Sequence, residues 1–261
     1  MAHEVAHHHH GEHEVSVWPL PVGIGILLTP VAITAYFAWH NPMLALVLGG
    51  IAALLVIIGM AGWANEFFTV GHEEGFGNLG IYLFIVSEII IFGTVFAAFW
   101  TARAIHADVW VSQWIPEAMN LKMPIILTLI LWASSFTIWK AESAMHHGDR
   151  GKAVMLLLAT MFFGALFTVL HVMEWVHLWH EGFTISSNMY GTGFYTLTGI
   201  HTSHVLVGLI LQAYVLVFTL MGKIGPDRMT IFRTTSAYWH FVDVMWLLVA
   251  STAYLVGGLK I

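Results

Sequence analysis

Long apolar runs separated by short polar connections make up most of the chain. The runs cover residues 20–39, 43–63, 80–105, 124–145, 151–177, 191–221 and 232–257. A bilayer core about 30 Å thick needs roughly 20 helical residues to cross it, so each run is long enough to span a membrane. Seven membrane-spanning helices are therefore predicted, and the longer ones should tilt or extend beyond the lipid.

The polar connections predict how these helices are grouped. Only His40, Asn41 and Pro42 join the first two runs, which indicates an antiparallel helical hairpin. The longest polar stretch before the remaining runs lies at 64–79. We predict an all-α polytopic membrane protein with a polar tail at 1–15, a two-helix transmembrane unit at 16–70, a linker at 71–79 and a five-helix transmembrane bundle at 80–261.

Composition excludes several classes of protein. With 58% hydrophobic residues, 9% charged residues and a mean hydropathy of +0.79, a soluble domain of this length is implausible. Cysteine is absent, so neither disulfides nor thiolate metal ligands are available. The net charge of −6 and the few basic residues give no nucleic-acid surface. The tail contains four consecutive histidines, at 7–10, which could bind a transition metal weakly, although a solvated tail is the preferred interpretation.

Basic residues predict the orientation in the membrane. If the N-terminus is cytoplasmic, the inner segments hold six basic residues and the outer segments hold three. Lys and Arg are enriched on the cytoplasmic side, so this arrangement is favoured over its reverse. The inner residues are Lys140, Arg150, Lys152, Lys223, Arg228 and Arg233, and the outer ones are Arg103, Lys122 and Lys260.

The last span contains two ionisable residues where lipid would otherwise be expected. His240 and Asp243 lie in the stretch YWHFVDVMW at 238–246. Asp243 is roughly 15 Å along its helix, close to the middle of the bilayer. A carboxylate costs about 2.5–3.5 kcal/mol at the bilayer centre. Such residues usually face protein partners or polar cavities and often mark a functional site.

Three further ionisable residues fall at similar depths in other spans. Glu88 lies early in the third span, and His201 and His204 lie three residues apart on one face of the sixth. We expect these side chains to meet His240 and Asp243 in the central to inner part of the membrane. Glu88 could be a proton-responsive or lipid-binding carboxyl, or a neutral acid that hydrogen-bonds between helices, and the sequence leaves both open.

Paired histidines raise the question of a metal site. The pairs are His146 with His147, His177 with His180, and His201 with His204. Their predicted positions are the inner surface, the outer surface and the interior, so one metal cannot collect them. A haem held between the sixth span and His240 is geometrically conceivable, but hydrogen-bonded core histidines are preferred. We predict no metal site and no catalytic residue in this chain.

Residues near the predicted helix ends are interpreted as contacts with water or lipid headgroups. Glu174 falls near the outer end of the fifth span, where a solvated or headgroup-facing carboxyl is expected. Tryptophans at helix ends are typical interfacial anchors. The candidates for this role are Trp18, Trp39, Trp63, Trp110, Trp114, Trp175 and Trp179.

Five segments together resemble subunit III of the haem-copper cytochrome c oxidases. They are SVWP at 16–19, LFIVSEIIIF at 83–92, GDRGKA at 148–153, GFTISSNMYGTGFYTLTGIHTSHVLVG at 182–208 and AYWHFVDVMWLL at 237–248. They extend over almost the whole chain in the family's order. Each segment alone is weak evidence for the family, but the five segments together are highly specific for it.

The resemblance implies a seven-helix subunit whose first two helices stand apart from the other five, with a phospholipid-filled cleft between them. Such a subunit is not redox-active. It packs on subunit I, which holds haems and copper, in a complex with subunit II and other subunits that receives electrons from cytochrome c. It is associated with proton uptake and lasting activity of a proton-pumping oxidase. A bacterial plasma membrane is expected rather than a mitochondrial inner membrane.

Several site residues follow from the resemblance alone. Glu88 matches the family's membrane-embedded acid, His201 and His204 its H-x-x-H pair, and His240 and Asp243 its late-helix signature. No cofactor is expected in this chain; the haems and copper would lie in partner subunits I and II, and phospholipid would be bound. The candidates for contact with lipid headgroups are Trp63, His72, Glu174 and Arg233.

Three alternatives to this function are considered. A subunit III of a quinol oxidase would tend to lack the first hairpin, which is present here. An independent proton-coupled transporter could relay protons through Glu88 and Asp243, but no inverted repeat or broken half-helix pair is visible. A self-sufficient haem or di-iron membrane enzyme would require bound iron, which an absorption spectrum would detect.

Overall fold

The computed structural model describes residues 17–70 and 75–258, and helices account for nearly all of both ranges. The chain divides into two compact units, Met1–Glu73 and Glu74–Ile261. In the described part, seven helices are long and apolar enough to cross a membrane. The prediction of an all-α polytopic membrane fold is therefore confirmed.

The first unit is a helical hairpin. Helix α1 spans Pro19–Phe37 and α2 spans Pro42–Val70, and the two pack along their length. The Oδ1 atom of Asn41 accepts a hydrogen bond from the backbone N–H of Leu44 at 3.0 Å, which satisfies a free donor at the start of α2. Helix α2 continues past residue 63, where the apolar run ends, so part of the expected polar connection is helical.

The second unit contains five long helices. They are α3 at Gly75–Ile105, α4 at Lys122–His146, α5 at Arg150–His180, α6 at Met189–Leu220 and α7 at Thr230–Ala250. A short helical turn at Ala107–Val109 and a π-helical turn at Trp110–Trp114 follow α3, and a second π-helical segment at Ser251–Val256 extends α7. Because α3 begins at Gly75, the predicted linker at 71–79 is too long.

Helix α7 is the central helix of the five-helix unit. It contacts α3, α4 and α6, and a larger share of its apolar span is buried than in any of the other four spans of the unit. Trp239 on α7 is fully buried against two glycines, one on α5 and one on α6. A Cβ atom added at Gly164 would lie 2.7 Å from the indole ring, and one added at Gly208 would lie 2.6 Å from it. These glycines let three helices approach one another closely.

A tight turn pairs α4 with α5. Gly148 has φ 79°, a conformation that costs glycine little, and the backbone N–H of Asp149 bonds to the carbonyl of Ala144 at 2.9 Å. The Asp149 side chain then accepts from the backbone N–H of Lys152 at 3.1 Å and caps α5. The two helices consequently leave the turn in opposite directions and pack side by side.

Trp110 closes the end of the unit at which α3 and α7 finish. Its side chain is fully buried, and its indole N–H donates to the carbonyl of Gly257 at 3.0 Å. The ring packs edge-on against Phe99 and Tyr190 at centroid distances of 5.3 and 5.6 Å. The prediction of an interfacial anchor is wrong for this residue, because the π-helical turn directs its ring inward.

Candidate functional site in the five-helix unit

Glu88 on α3 and His204 on α6 form a hydrogen-bonded pair. The Oε2 atom of Glu88 lies 2.8 Å from Nε2 of His204, and the side chains are only 12% and 17% exposed. On its other side, Nδ1 of His204 lies 2.8 Å from the carbonyl oxygen of Ile200 on the same helix. The sequence predicted the depth of both residues, and the structure adds that they contact each other directly.

The backbone carbonyl determines how many protons this pair holds. A carbonyl oxygen can only accept, so Nδ1 of His204 must carry a hydrogen. The remaining hydrogen bond needs one proton, which belongs either to the Glu88 carboxyl or to Nε2 of the imidazole. The pair is therefore neutral overall in both arrangements, which lowers the cost of placing it in lipid.

A second group joins α4 to α7. The hydroxyl of Ser135 lies 3.1 Å from Nδ1 of His240 and also forms a short hydrogen bond with Oδ2 of Asp243. Asp243 is 6% exposed, so its carboxyl lies inside the unit. Because a hydroxyl both donates and accepts, Ser135 connects the acid to the imidazole in one continuous chain.

Two open grooves lie beside the His240 end of this series of hydrogen bonds. One has a volume of about 170 Å³ and the other about 270 Å³, and Glu142 and Arg233 line both of them. His240 lines the larger groove, together with Ser236 and Tyr82. The end of α4 and the start of α7 form this region, so it lies at one boundary of the predicted membrane. The groove therefore leads through His240 and Ser135 to Asp243.

The five predicted residues do not form a single cluster. Glu88 pairs with His204, while His240 and Asp243 meet through Ser135, and His201 hydrogen-bonds to no residue that the structure describes. One contact links the first pair to α7, because the Tyr238 hydroxyl donates to the carbonyl of His204 at 3.2 Å.

Sequence reasoning missed Ser135. Its stretch, LWASSFTIW, resembles any apolar span with small residues, and the adjacent Ser134 makes a different contact, accepting from the indole N–H of Trp239 at 3.0 Å. Only the rotation of α4 against α7 decides which of the two serines meets the acid. No local signal in the sequence distinguishes them.

The prediction of a solvated or headgroup-facing Glu174 is wrong. Its side chain is 7% exposed, and Oε2 accepts from the Tyr254 hydroxyl at 2.6 Å. Oε2 also lies 3.5 Å from Nδ1 of His171, which is fully buried. The position along α5 suggested the outer interface, but the aromatic residues at that end of the unit cover the carboxyl.

Two of the other three candidates for contact with lipid headgroups are exposed in the structure. Trp63 is 48% exposed on α2, and Arg233 is exposed at the start of α7, beside the two grooves. His72 and the His-rich tail at 1–15 lie outside the described residues. Exposure is compatible with headgroup contact, so Trp63 and Arg233 stay as predictions.

Residues 17–70 and 75–258 contain no group of three or more His, Cys, Asp or Glu side chains that could hold a metal ion. The acids, imidazoles and hydroxyls described above form hydrogen bonds with one another. The fold and the site thus define a polytopic membrane protein with hydrogen-bonded ionisable side chains inside a five-helix unit.

Comparisons with known proteins identify the family. The family model described as Cytochrome c oxidase subunit III matches residues 7–258. A protein of Nocardia farcinica named probable cytochrome c oxidase subunit 3 is 36% identical over 179 residues, 69% of this chain and 87% of the relative. The cytochrome c oxidase subunit 3 of Podospora anserina is 33% identical, covering 95% of this chain and 96% of the relative. That of Danio rerio is 30% identical, covering 97% and 100%.

The family model and the Podospora anserina and Danio rerio relatives match nearly the whole chain and extend through both units. The chain belongs to the cytochrome c oxidase subunit III family. It is therefore a multi-pass membrane subunit of a multi-subunit respiratory complex.

Proposed function

We propose that this chain is the non-redox core subunit III of a proton-pumping haem-copper oxidase. In this role it packs on the catalytic subunit I, binds phospholipid, and supports proton uptake and the durability of the enzyme. The names of the relatives favour cytochrome c over quinol as the electron donor of the complex. The haems and copper belong to subunits I and II, and this chain contributes scaffold and proton-exchanging groups.

The chain of hydrogen bonds from His240 through Ser135 to Asp243 carries the proposal of proton uptake. It begins at a groove that contains a carboxylate, Glu142, and an imidazole, His240, both of which can exchange protons with water. It ends at a buried acid in the middle of the central helix. Side chains in such a series can pass a proton along without moving far.

The substitution Ser135→Ala tests this role in the purified oxidase complex. The change removes the hydroxyl that, among the described residues, joins Asp243 to His240, and it leaves both titratable residues in place. We expect proton uptake, followed with a pH-indicator dye during a single turnover, to become slower while the complex still assembles. Ser251→Ala is the matched control, because that exposed hydroxyl bonds only to the carbonyl of Leu247 on its own helix. Equal uptake rates in the two variants would reject the role.

Phospholipid binding is proposed at the two grooves near Arg233. Arg233 and Glu142 line the same space with opposite charges, which suits the phosphate and the ammonium group of a zwitterionic headgroup. Native mass spectrometry of the complex should show less retained phosphatidylethanolamine in Arg233→Gln than in Arg228→Gln, a change at an exposed arginine in the preceding turn. Equal retention of the lipid in the two variants would show that Arg233 does not contribute to the site. The predicted lipid-filled cleft stays a prediction.

The absence of redox centres from this chain is tested by spectroscopy. The isolated chain in detergent should lack a Soret band and bound iron, while the intact complex shows both. Stoichiometric haem on the isolated chain would favour the alternative of a self-sufficient membrane haem enzyme.

A further inference from the structure

A separate group of buried polar atoms surrounds His171 on α5 and His201 on α6. Both imidazoles have 0% exposure. The Trp246 ring lies 5.4 Å from the first and 5.1 Å from the second, and the Phe167 ring lies 5.6 and 5.7 Å from them, measured between centroids. Both histidines therefore occupy one packing layer, which we call the imidazole cluster: His171, His201, Trp175, Trp246 and Phe167.

Five polar atoms of the imidazole cluster lack hydrogen-bond partners among the residues described. They are both ring nitrogens of His171, both ring nitrogens of His201 and the indole nitrogen of Trp175, whose ring lies 5.0 Å from that of His171. Nδ1 of His171 lies 3.5 Å from Oε2 of Glu174 but forms no hydrogen bond with it. An unpaired buried polar group destabilises the folded state, and buried polar groups in folded proteins are nearly always paired. Several such atoms within one layer therefore indicate that a further molecule supplies their partners.

The chemistry of the five atoms indicates which molecule that is. Each neutral imidazole presents one donor and one acceptor, and the indole adds a donor, so the ligand must both donate and accept. A direct bond between the two imidazoles would satisfy only two of the four ring nitrogens. A metal ion is disfavoured, because the described residues offer no set of three ligating side chains. Water meets the requirement, since one molecule makes two to four hydrogen bonds and carries no charge.

We propose that ordered water molecules occupy the imidazole cluster and bridge His171 to His201. This is a binding site for water inside the membrane-spanning part of the chain. It does not depend on the proposed contact with subunit I or on the route through Ser135.

Two buried acids lie near the imidazole cluster, one on each side. Nδ1 of His171 lies 3.5 Å from Glu174, which accepts from the hydroxyl of Tyr254. His201 lies one helical turn before His204, the partner of Glu88. Tyr254 and Tyr190 are at most 1% exposed and close the Glu174 end. The water-bridged histidines therefore lie between the buried Glu174 and the helical turn that carries His204.

A high-resolution cryo-EM map of the wild-type oxidase complex tests the proposal directly. We expect density for at least one water molecule within hydrogen-bonding distance of a ring nitrogen of His171 and of His201. Trp239 is the internal control, because it is equally buried but its indole N–H already bonds to Ser134, so no water should lie beside it. Imidazoles in direct contact with no density between them, or density of a metal ion, would overturn the proposal.

A double-mutant cycle provides an independent measurement in the same complex. Phe has nearly the shape of His but neither donates nor accepts, so His171→Phe and His201→Phe each remove one side of the bridge. If water links them, each single change lowers the melting temperature, and the double variant loses clearly less than the sum of the two. If the rings are dry, each change removes unpaired buried atoms and raises the melting temperature. A rise, or strictly additive losses, would contradict the proposal.

Discussion

At the scale of single residues, the buried ionisable side chains of the five-helix unit bond to partners on neighbouring helices. Residue count along a span placed Glu88 and His204 at compatible levels, because rise per residue in a helix is constant. It could not predict that Ser135 joins Asp243 to His240, since that depends on how α4 is rotated against α7. It also gave Glu174 the wrong environment, because the covering tyrosine, Tyr254, comes from a distant part of the chain.

The substitution Glu88→Gln tests whether this residue acts through its proton. A glutamine amide can still donate to Nε2 of His204, so the contact and the assembly of the complex should survive. We expect slower proton uptake with little change in melting temperature, measured in the same preparation. Glu117→Gln, at an exposed acid outside the spans, controls for the loss of a carboxyl. Wild-type uptake in both variants would leave Glu88 with a packing role only.

At the scale of helices, hydropathy predicted the existence of every span and most of the ends. The seven apolar runs correspond to seven helices in the described part of the chain, because a membrane crossing requires a length that few other elements share. Extensions such as the last turns of α2 could not be predicted, since polar residues also form helices once they leave the lipid. The π-helical turn at Trp110–Trp114 had no recognisable pattern either.

The packing of α7 against α6 is tested by a glycine substitution. In Gly208→Ala, the new Cβ would lie 2.6 Å from the buried Trp239 ring, which cannot move away because Gly164 holds its other edge. Overpacking of this kind costs about 1–3 kcal/mol. The melting temperature of the complex should fall, whereas Gly199→Ala on the same helix should be tolerated, because its nearest neighbour is 4.0 Å away. Equal melting temperatures for the two variants would contradict the packing described.

The end of α7 is tested at Trp110. Replacing it by phenylalanine removes the donor to the buried carbonyl of Gly257. An acceptor left without a partner costs about 1–3 kcal/mol. We expect Trp110→Phe to lower the melting temperature and Trp179→Phe, at a tryptophan that is 57% exposed, to leave it nearly unchanged. The reverse order would indicate that Trp110 is not a structural donor.

At the scale of the whole molecule, family membership places the chain in a larger assembly. Its orientation in the membrane is predicted from the sequence alone. The excess of basic residues in one set of connections favours a cytoplasmic N-terminus. With the seven spans that the described residues contain, the C-terminus is then expected on the opposite side.

Reporter fusions at the two termini test the orientation. A fluorescent protein that folds only in the cytoplasm should be bright at the N-terminus and dark at the C-terminus of the chain in a bacterial host. A phosphatase that is active only outside the cytoplasm should give the reverse pattern. A bright C-terminal fusion would indicate the opposite orientation, in which the groove beside Arg233 faces the outside.

The single proton shared by Glu88 and His204 has an electrical consequence. When it crosses from the carboxyl to the imidazole, over a hydrogen bond of 2.8 Å, the pair acquires a dipole but no net charge. No counterion has to enter the lipid, and no isolated ion must be desolvated. Such a dipole can follow changes in the local electric field inside the five-helix unit while the net charge of the pair stays the same.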